Sequence, residues 1–330
     1  MVQSSGGSGK SVTIVVIVMA IAASAFLLYS GNLGDGTIPT NSSSYPPTPG
    51  TYVDHEPIII SGDYELAQQA QQNGWNGDGT DDNPFIIEGL MIVSEGHHCI
   101  RIESVTEYHF IVRNCRLVAN DESWGVCIRV YGCVNGAVEN CTMETGYQGA
   151  DFWQSNDCRL SKCNISGVGC GINLTETERI LVDENWVEDC WWALMLCMAY
   201  DTHVSDNYLR KSEVGVNSQF SGRTMLDNNT IVDNLTGFNV ENSCMNWTIT
   251  HCSFLNNTDT GIRLTATTEN FTLYNNLIGW NAMNAQDDGH LNKWDDGVAQ
   301  GNAWSDYEGS GVYVIPGSAS SVDNFPSVLV

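Results

Sequence analysis

The sequence predicts an all-β chain that folds as a parallel β-helix of about eight to nine rungs. A six-residue motif such as Val138-Glu-Asn-Cys-Thr-Met143 recurs eight times, with its fourth residue at positions 115, 141, 163, 185, 207, 229, 252 and 276. A second motif keeps the same register in seven copies, from Gly125-Val-Cys-Ile128 and Gly149-Ala-Asp-Phe152 to Gly261-Ile-Arg-Leu264. Short apolar alternation, turns rich in Gly, Asn and Asp, and the absence of a leucine-rich LxxLxLxxN pattern favour a β-helix.

The fourth residue of the first motif is Cys or Asn in all eight copies, and we expect it to point inward. Stacked Asn185, Asn207 and Asn229 can hydrogen-bond to one another and so satisfy buried amides. Cysteine suits the same position as a small apolar residue. The spacing would also permit one disulfide among Cys115, Cys141 and Cys163, but the stacking does not aim their Cβ atoms at each other, so free thiols are preferred.

Both ends of a solenoid need a cover. We assign residues 57–83 to an N-terminal cap, 84–282 to the β-helix and 283–330 to a C-terminal cap. The run Glu65-Leu-Ala-Gln-Gln-Ala-Gln-Gln72 predicts a capping helix within residues 61–73 that ends at Gly74. At the other end we expect Trp294, Trp304, Tyr307 and Phe325 to close the core.

The N-terminal segment predicts a membrane or export signal. Residues 12–29 carry no charge and are close to the length that crosses a bilayer. They are interpreted as a transmembrane signal anchor after a cytoplasmic tail of residues 1–11, with a cleaved signal peptide as the alternative because Ala23-Ser-Ala25 resembles a cleavage site. Lys10 favours an extracellular body, and residues 30–56 favour a flexible linker. The chain is thus expected at the cell membrane as a single-pass protein, or secreted if the signal is cleaved.

The charge balance excludes some partners. Lys and Arg number 13 against 39 Asp and Glu, which gives a net charge of −26. Such a surface repels nucleic acid and polyanionic glycans, so no nucleic-acid partner is expected. Nine Asn-x-Ser/Thr sequons would permit glycosylation outside the cell.

Two end motifs carry a family resemblance. The repeats are preceded by Gly77-Asp-Gly-Thr80 and Pro84-Phe-Ile-Ile-Glu88. They are followed by Trp294-Asp-Asp-Gly297 and Trp304-Ser-Asp-Tyr307. Residues 57–330 resemble surface-anchored members of the right-handed parallel β-helix repeat family. That family includes NosD-like copper-accessory proteins and carbohydrate-binding and sugar-hydrolase domains. The resemblance implies a right-handed solenoid, and it leaves the function open because members include enzymes, accessory proteins and surface proteins.

A weak catalytic signal involves three carboxylates. Asn257-Thr-Asp259 and Gln286-Asp287-Asp288 resemble the acidic motifs of polygalacturonase-type glycosidases, yet Gly289-His290 abuts the second motif and no arginine follows it. Turn formation by Asp and Asn is the alternative reading. We therefore expect no complete catalytic set.

Metal binding has two candidate locations. His97-His-Cys99 and Met195-Leu-Cys197-Met198 offer soft ligands for copper, although Met and Cys on a strand also serve as packing residues. Asn76, Asp78, Thr80 and Asp82 alternate oxygen atoms in a Gly-rich loop, with Glu88 nearby, as a calcium site would require. No cofactor is expected apart from this candidate calcium.

One outward column predicts a ligand surface. Trp186 and Tyr208 each follow an inward Asn and should stack on adjacent rungs. The polar residues predicted to flank them are Asp183, Glu188, Arg210 and Asp227. Sugars pack on aromatic rings while polar groups take their hydroxyls, although packing under a loop or a partner protein is the alternative.

These observations lead to three hypotheses. The first is a membrane-tethered, extracellular, non-catalytic β-helix protein for glycan binding, adhesion or contact with a surface protein. The alternative is a glycan-processing enzyme, either a glycoside hydrolase or a lyase. The third is a NosD-like copper-accessory protein.

Overall fold

The computed structural model describes residues 52–330. In this part of the chain one helix, α1 (Asp63–Asn73), accompanies short strands. The strands of the N-terminal half are β1 (Val53–Asp54), β2 (Ile58–Ser61), β3 (Phe85–Glu88), β4 (Leu90–Ser94), β5 (His98–Glu103), β6 (Phe110–Arg113), β7 (Arg116–Ala119), β8 (Val126–Tyr131), β9 (Gly136–Glu139), β10 (Thr142–Glu144), β11 (Gln148–Trp153), β12 (Arg159–Ser161), β13 (Asn164–Ser166), β14 (Cys170–Thr175), β15 (Leu181–Asp183), β16 (Trp186–Glu188) and β17 (Trp192–Cys197). Those that follow are β18 (His203–Ser205), β19 (Tyr208–Arg210), β20 (Val214–Gln219), β21 (Met225–Asp227), β22 (Thr230–Val232), β23 (Thr236–Asn242), β24 (Thr248–Thr250), β25 (Ser253–Leu255), β26 (Thr260–Leu264), β27 (Thr272–Tyr274), β28 (Leu277–Gly279), β29 (Met283–Asp287), β30 (Ala303–Trp304), β31 (Tyr313–Val314), β32 (Val322–Asp323) and β33 (Ser327–Val328).

The strands stack into a parallel β-helix, as the repeats predict. Within residues 52–330, strands of successive rungs pair in parallel and build three long sheets of 12, 10 and 9 strands, while β31 and β32 form a separate antiparallel pair. The stack is longer than the predicted eight to nine rungs because both ends continue it. At the N-terminal end β1 pairs with β4 and β2 pairs with β5. Residues 53–54 therefore belong to the stack, whereas the sequence predicts a flexible linker over residues 30–56.

The predicted inward column forms a hydrogen-bonded ladder. The Asn185 amide nitrogen donates to Asn207 Oδ1 at 2.9 Å, and that of Asn207 donates to Asn229 Oδ1 at 2.9 Å. Cys252 continues the column, and beyond it Asn276 donates to Asn302 Oδ1 at 2.9 Å. Because every amide in this corner has a partner on the neighbouring rung, the ladder fixes the register of the stack.

All twelve cysteines lie in the described part of the chain, and all are free and buried. Burial raises the pKa of the Cys133 thiol to about 11 and that of Cys252 to about 12. The preference for free thiols over one bridge is therefore confirmed.

The second sequence motif is misaligned in its first copy. Gly125 had been placed opposite Gly149, but β8 pairs with β11 so that Ile128 lies opposite Ala150 and Arg129 opposite Asp151. The correct equivalent of Gly149 is therefore Cys127. The error arises because this rung is 26 residues long whereas the next four are 22, and the additional residues precede β8.

Both caps use side chains to close the core. Helix α1 covers the first rung with Leu66 and Ala70, and Gly74 ends it in the left-handed conformation. At the other end Trp294 and Trp304 are fully buried, as predicted. Phe325 is 39% exposed, so its predicted role in closing the core is wrong. Tyr313 packs there instead, with its ring centroid 4.0 Å from that of Trp304.

The predicted cytoplasmic tail (1–11), signal anchor or signal peptide (12–29) and most of the linker lie outside the described residues. Within residues 52–330, no helix combines the length and the apolar character that a membrane span requires.

Candidate functional site

The outer face of the ten-stranded sheet carries polar side chains that are almost completely buried. On β11, Ala150 and Phe152 point into the core, so Asp151 points outward, and Asn173 occupies the equivalent position on β14. Asp151 is nevertheless only 1% exposed, and Asn173 is 3% exposed. Polar groups with so little access to water need partners.

Arg129 and Asp151 form the centre of this face. Arg129 Nε lies 2.6 Å from Asp151 Oδ2, and its terminal nitrogen lies 3.3 Å from Gln148 Oε1. The Asn173 amide nitrogen donates to Asp151 Oδ1 at 2.8 Å and to Thr175 Oγ1 at 3.1 Å. The ion pair, two amides and one hydroxyl thus form one network across three rungs.

His98 and Arg101 extend the network to the preceding rung. On β5, Arg101 lies opposite Arg129 and donates to Glu103 Oε1 at 2.6 Å. His98 Nδ1 is buried and has no hydrogen-bond partner. Desolvation, with the nearby charges of Arg129 and Arg101, lowers the pKa of His98 to about 4. We call the group His98, Arg101, Arg129, Gln148, Asp151 and Asn173 the polar site.

Aromatic rings flank the polar site at both ends of its strands. Tyr131 and Trp153 end β8 and β11, and their ring centroids are 5.5 Å apart in an edge arrangement. The buried indole N–H of Trp153 has no partner. At the other edge, Tyr147 directly precedes Gln148. Burial, followed by the nearby Cys170 and Asp151, raises the pKa of Tyr147.

A sulfur cluster adjoins the polar site on the following rungs. Cys170, Met195 and Cys197 pack together with Trp192 and Met198. Met195 lies opposite Asn173 on the outer face, while its neighbours Leu194 and Leu196 enter the core. The strand therefore presents Met195 and Cys197 outward, where both are buried in this second apolar cluster, so their expected role as packing residues is confirmed. His97 and Cys99 do not join this cluster, since His97 is exposed and lies 3.8 Å from Asp121, and Cys99 is in the main core.

Trp186 and Tyr208 lie on a different surface, the outer face of the twelve-stranded sheet. They are directly opposed on β16 and β19, with ring centroids 4.3 Å apart and an interplanar angle of 21°. Each ring therefore covers one face of the other, and both are half-buried. Arg210 lies over the Tyr208 ring at 5.8 Å and is 3.9 Å from Glu188.

The structure does not bring the four predicted polar neighbours of this aromatic pair together. Glu188 and Arg210 share its sheet, whereas Asp183 and Asp227 lie on β15 and β21 of the nine-stranded sheet. Asp183 accepts two hydrogen bonds from Arg159 at 3.0 and 2.8 Å. Asp227 accepts from Thr250 at 2.7 Å and lies 2.8 Å from His251 Nδ1.

The three candidate catalytic carboxylates all have structural partners. Asp259 pairs with Arg263 at 2.9 Å. Asp287 is fully buried and accepts hydrogen bonds from the Trp294 indole at 2.9 Å and from Ser321 Oγ at 2.7 Å. Asp288 accepts two hydrogen bonds from Ser318, which lower its pKa. These contacts show how Asp287 and Asp288 hold the C-terminal cap, beside a cavity of about 630 Å³ whose walls include His290 and Lys293.

The candidate calcium residues lie in one turn near the first rung. Asp78 Oδ1 accepts from the Thr80 backbone at 3.1 Å and from its hydroxyl at 2.7 Å. Asn76 pairs through its backbone with Ile86, and Asp82 is exposed. Glu88 is engaged by Arg113 at 2.7 Å. Across residues 52–330, no group of three or more His, Cys, Asp or Glu side chains is arranged to hold a metal ion.

Fold and site together define a parallel β-helix protein with a polar and aromatic outer face. Residues 111–309 match the family model NosD, described as periplasmic copper-binding protein. Because this match spans more than half of the chain, the protein belongs to the NosD family. No curated protein matches the chain.

Solved structures share the fold at low sequence identity. The enzymatically active domain of tailspike protein 2 from bacteriophage CBA120 is 8% identical with a TM-score of 0.52, covering 85% of this chain and 47% of that one. A DFA-IIIase variant from Arthrobacter chlorophenolicus is 11% identical with a TM-score of 0.51, covering 80% and 86%. The A-module of a mannuronan C-5 epimerase from Azotobacter vinelandii is 10% identical with a TM-score of 0.48, covering 80% and 91%. Such identities show the fold alone.

Proposed function

We propose that this protein is an extracellular β-helix protein that binds glycans through the polar site. The observation that carries the proposal is the Arg129–Asp151 pair, which lies on an outer sheet face between aromatic rings at both edges. Ligand sites of this kind combine apolar surfaces with a few converging polar groups. The aromatic rings supply contact area, and the partly exposed guanidinium groups of Arg101 and Arg129, positioned by the buried carboxylate and amides, supply hydrogen bonds to hydroxyls.

The proposed location follows from the predicted N-terminal segment and the family. Residues 12–29 would hold the chain in the membrane, and residues 30–51 would act as a tether that lets the body reach a surface glycan. The description of the NosD family as periplasmic supports a body outside the cytoplasm. In this proposal the function is binding or adhesion, with a surface glycan as the partner.

A matched pair of variants tests the site. Asp151→Asn and Asp183→Asn each remove the charge of an outward carboxylate that is paired with arginine, but on different sheets. Full-length protein in mild detergent is applied to an array of neutral and acidic glycans, with thermal melting as the folding control. We expect Asp151→Asn to lose binding and Asp183→Asn to retain it. Glycan binding that is retained by a folded Asp151→Asn variant would refute the polar site as the binding surface. Glycan binding that is lost only in Asp183→Asn would place the binding surface on the nine-stranded sheet.

Catalysis on the bound glycan is a second candidate function. It is favoured by His98, whose buried Nδ1 has no partner and whose lowered pKa leaves the ring neutral at pH 7. A neutral imidazole can accept a proton from a substrate. Prolonged incubation with polysaccharide, followed by chromatography of the products, tests this. Turnover that His98→Gln abolishes would establish an enzyme, and intact polysaccharide would leave a binding protein.

Copper handling is a further candidate, supported by the sulfur cluster and the family description. The donor chemistry fits, because thiols and thioethers are the soft ligands that Cu(I) prefers. Cys170, Met195 and Cys197 would hold the ion, and the Asn217 amide already contacts Met195 Sδ at 3.3 Å. Competition titration of Cu(I) against a colorimetric chelator should show loss of one site in Met195→Leu with Cys197→Ser. The same affinity in the wild-type and variant proteins would exclude the cluster.

A further inference from the structure

The longest rung of the repeat carries an exposed tryptophan beside the polar site. The spacing from Cys115 to Cys141 is 26 residues, against 22 in the next four rungs, and the excess lies in the segment 120–125 before β8. Trp124 in this segment is 67% exposed. A single exposed apolar side chain is common on protein surfaces, so the significance of this indole depends on the groups that lie beside it.

The segment holds Trp124 in a defined place. Asp121 Oδ1 accepts hydrogen bonds from the backbone N–H groups of Ser123 at 3.0 Å and Trp124 at 3.2 Å. The Gly125 N–H donates to the Asp121 carbonyl at 2.7 Å, which closes the turn. The backbone is thus anchored, so a ligand that contacts the indole needs to order little more than its side chain.

The indole lies at one edge of the polar site. Its ring centroid is 6.5 Å from that of Tyr147, with a 46° angle between the planes, and the Tyr147 N–H bonds to the Gly125 carbonyl at 2.8 Å. Tyr147 is followed directly by Gln148 of the polar site. Unlike the rings of Trp186 and Tyr208, which cover each other, the tilted Trp124 ring leaves most of its surface open to solvent.

We infer that a neutral glycan lies along β8 and β11, stacked on Trp124 at one edge and on Tyr131 and Trp153 at the other. This inference rests on the proposed glycan-binding function and names the class and direction of the ligand. From Tyr147 to Trp153 the strand spans roughly 20 Å at about 3.3 Å per residue, which is room for several sugar rings. Between these edges, the partly exposed guanidinium of Arg129 would contact hydroxyl groups, with Gln148 and Asp151 holding it in position from beneath.

The charges favour a neutral ligand. Arg129 is paired with Asp151 and Arg101 with Glu103, so neither guanidinium offers an uncompensated positive charge to a uronate. The net charge of −26 further opposes a polyanion. A ligand of hydroxyl groups and apolar ring faces matches both the paired charges and the aromatic edges.

The test compares two exposed tryptophans. Trp280 is 55% exposed and follows β28 of the twelve-stranded sheet, so Trp280→Ala is the matched control for Trp124→Ala. Binding of neutral gluco-, manno- and galacto-oligosaccharides of increasing length, and of oligogalacturonate, is measured by calorimetry on the full-length chain. We expect affinity for one neutral series to rise with length, and Trp124→Ala to weaken it at least tenfold while Trp280→Ala leaves it unchanged.

The outcomes separate this inference from the proposed function. If the wild-type protein and the Trp124→Ala variant bind a neutral glycan equally well, the proposed stacking on Trp124 is refuted, whereas the proposed glycan binding is retained. Preference for oligogalacturonate would overturn the assigned ligand class alone. Wild-type protein that binds no glycan of any kind would overturn both proposals.

Discussion

Arg129 and Asp151 contact each other across adjacent strands at 2.6 Å, on the outside of the sheet, while Asp151 has almost no access to water. An outward ion pair would ordinarily be solvated and contribute little. Here the carboxylate also accepts from Asn173, so its charge is compensated by fixed protein groups. Removing Arg129 would leave the desolvated Asp151 carboxylate without its counter-charge, which makes this pair sensitive to substitution.

The asparagine ladder should be intolerant of charge. In Asn207→Asp, the carboxylate would face the Val182 and Ser205 carbonyls and Asn229 Oδ1, all of which now accept from the Asn207 amide at 2.9 Å. We expect the free energy of unfolding to fall by about 3 kcal/mol or more, since one oxygen of the buried carboxylate would face three acceptors and no donor. Urea denaturation measures this.

A surface asparagine provides the control for the ladder. Asn246 is exposed, and its Oδ1 accepts from the Asn270 amide at 2.7 Å, a bond that aspartate can also accept. Asn246→Asp should therefore change stability by no more than about 0.5 kcal/mol. Equal midpoints for the two variants would show that the ladder does not stabilise the stack.

Trp186 and Tyr208 should stabilise each other. A double-mutant cycle with Trp186→Ala and Tyr208→Ala should give a coupling energy of about 0.5 to 1.5 kcal/mol, because stacked rings contribute beyond their buried area. Thermal or urea unfolding of the four proteins measures it. Glycan binding should survive in the double variant if the polar site is the binding surface. Lost binding with zero coupling would instead favour the aromatic pair as the ligand surface.

His98 should make stability depend on pH. Burial lowers the pKa of His98 from 6.5 to about 4 in the folded protein. As the pH falls, His98 therefore binds a proton in the unfolded chain before it does so in the folded one, which favours unfolding. The wild-type protein should therefore lose stability between about pH 6.5 and pH 4, and His98→Gln should lack this component. Urea midpoints at pH 7.5 and pH 4.5 for both proteins check the difference. Parallel declines would argue that His98 is not desolvated.

The predicted anchor gives a simple fractionation experiment. Full-length protein expressed in its native membrane should remain with the membranes through a carbonate wash, because residues 12–29 would span the bilayer. N-terminal sequencing of the mature chain is the decisive measurement. A chain that begins near Phe26 would show that the segment is a cleaved signal peptide.

The repeats made the stack predictable because strand register follows directly from spacing. Asn185, Asn207 and Asn229 are spaced 22 residues apart, and this spacing alone was enough to predict that their side chains form a ladder. The number of rungs was underestimated since β1, β2, β30 and β33 lack the motif and join the stack only through backbone pairing. Such pairing leaves little trace in the side-chain pattern.

The polar site was missed because of one alignment. Placing Gly125 opposite Gly149 put Arg129 two residues out of register with Asp151, which hid the ion pair. A search for opposite charges in neighbouring rungs, allowing for the longer rung, could have found it. Asp183 was misplaced for a different reason. The turn at Glu184, where φ is 55°, redirects the chain to another sheet, so strand alternation cannot be carried through it.

The buried free thiols have a consequence for how the protein withstands its surroundings. Oxidants attack the exposed thiolate, and burial both shields these sulfur atoms and keeps thiols such as Cys133, Cys158 and Cys190 protonated at neutral pH. With all twelve cysteine sulfur atoms buried as free thiols, the β-helix would keep the same covalent structure in reducing and oxidising compartments. A buried cysteine can be oxidised only when its rung opens, so the rate of cysteine modification would report the local unfolding of each rung.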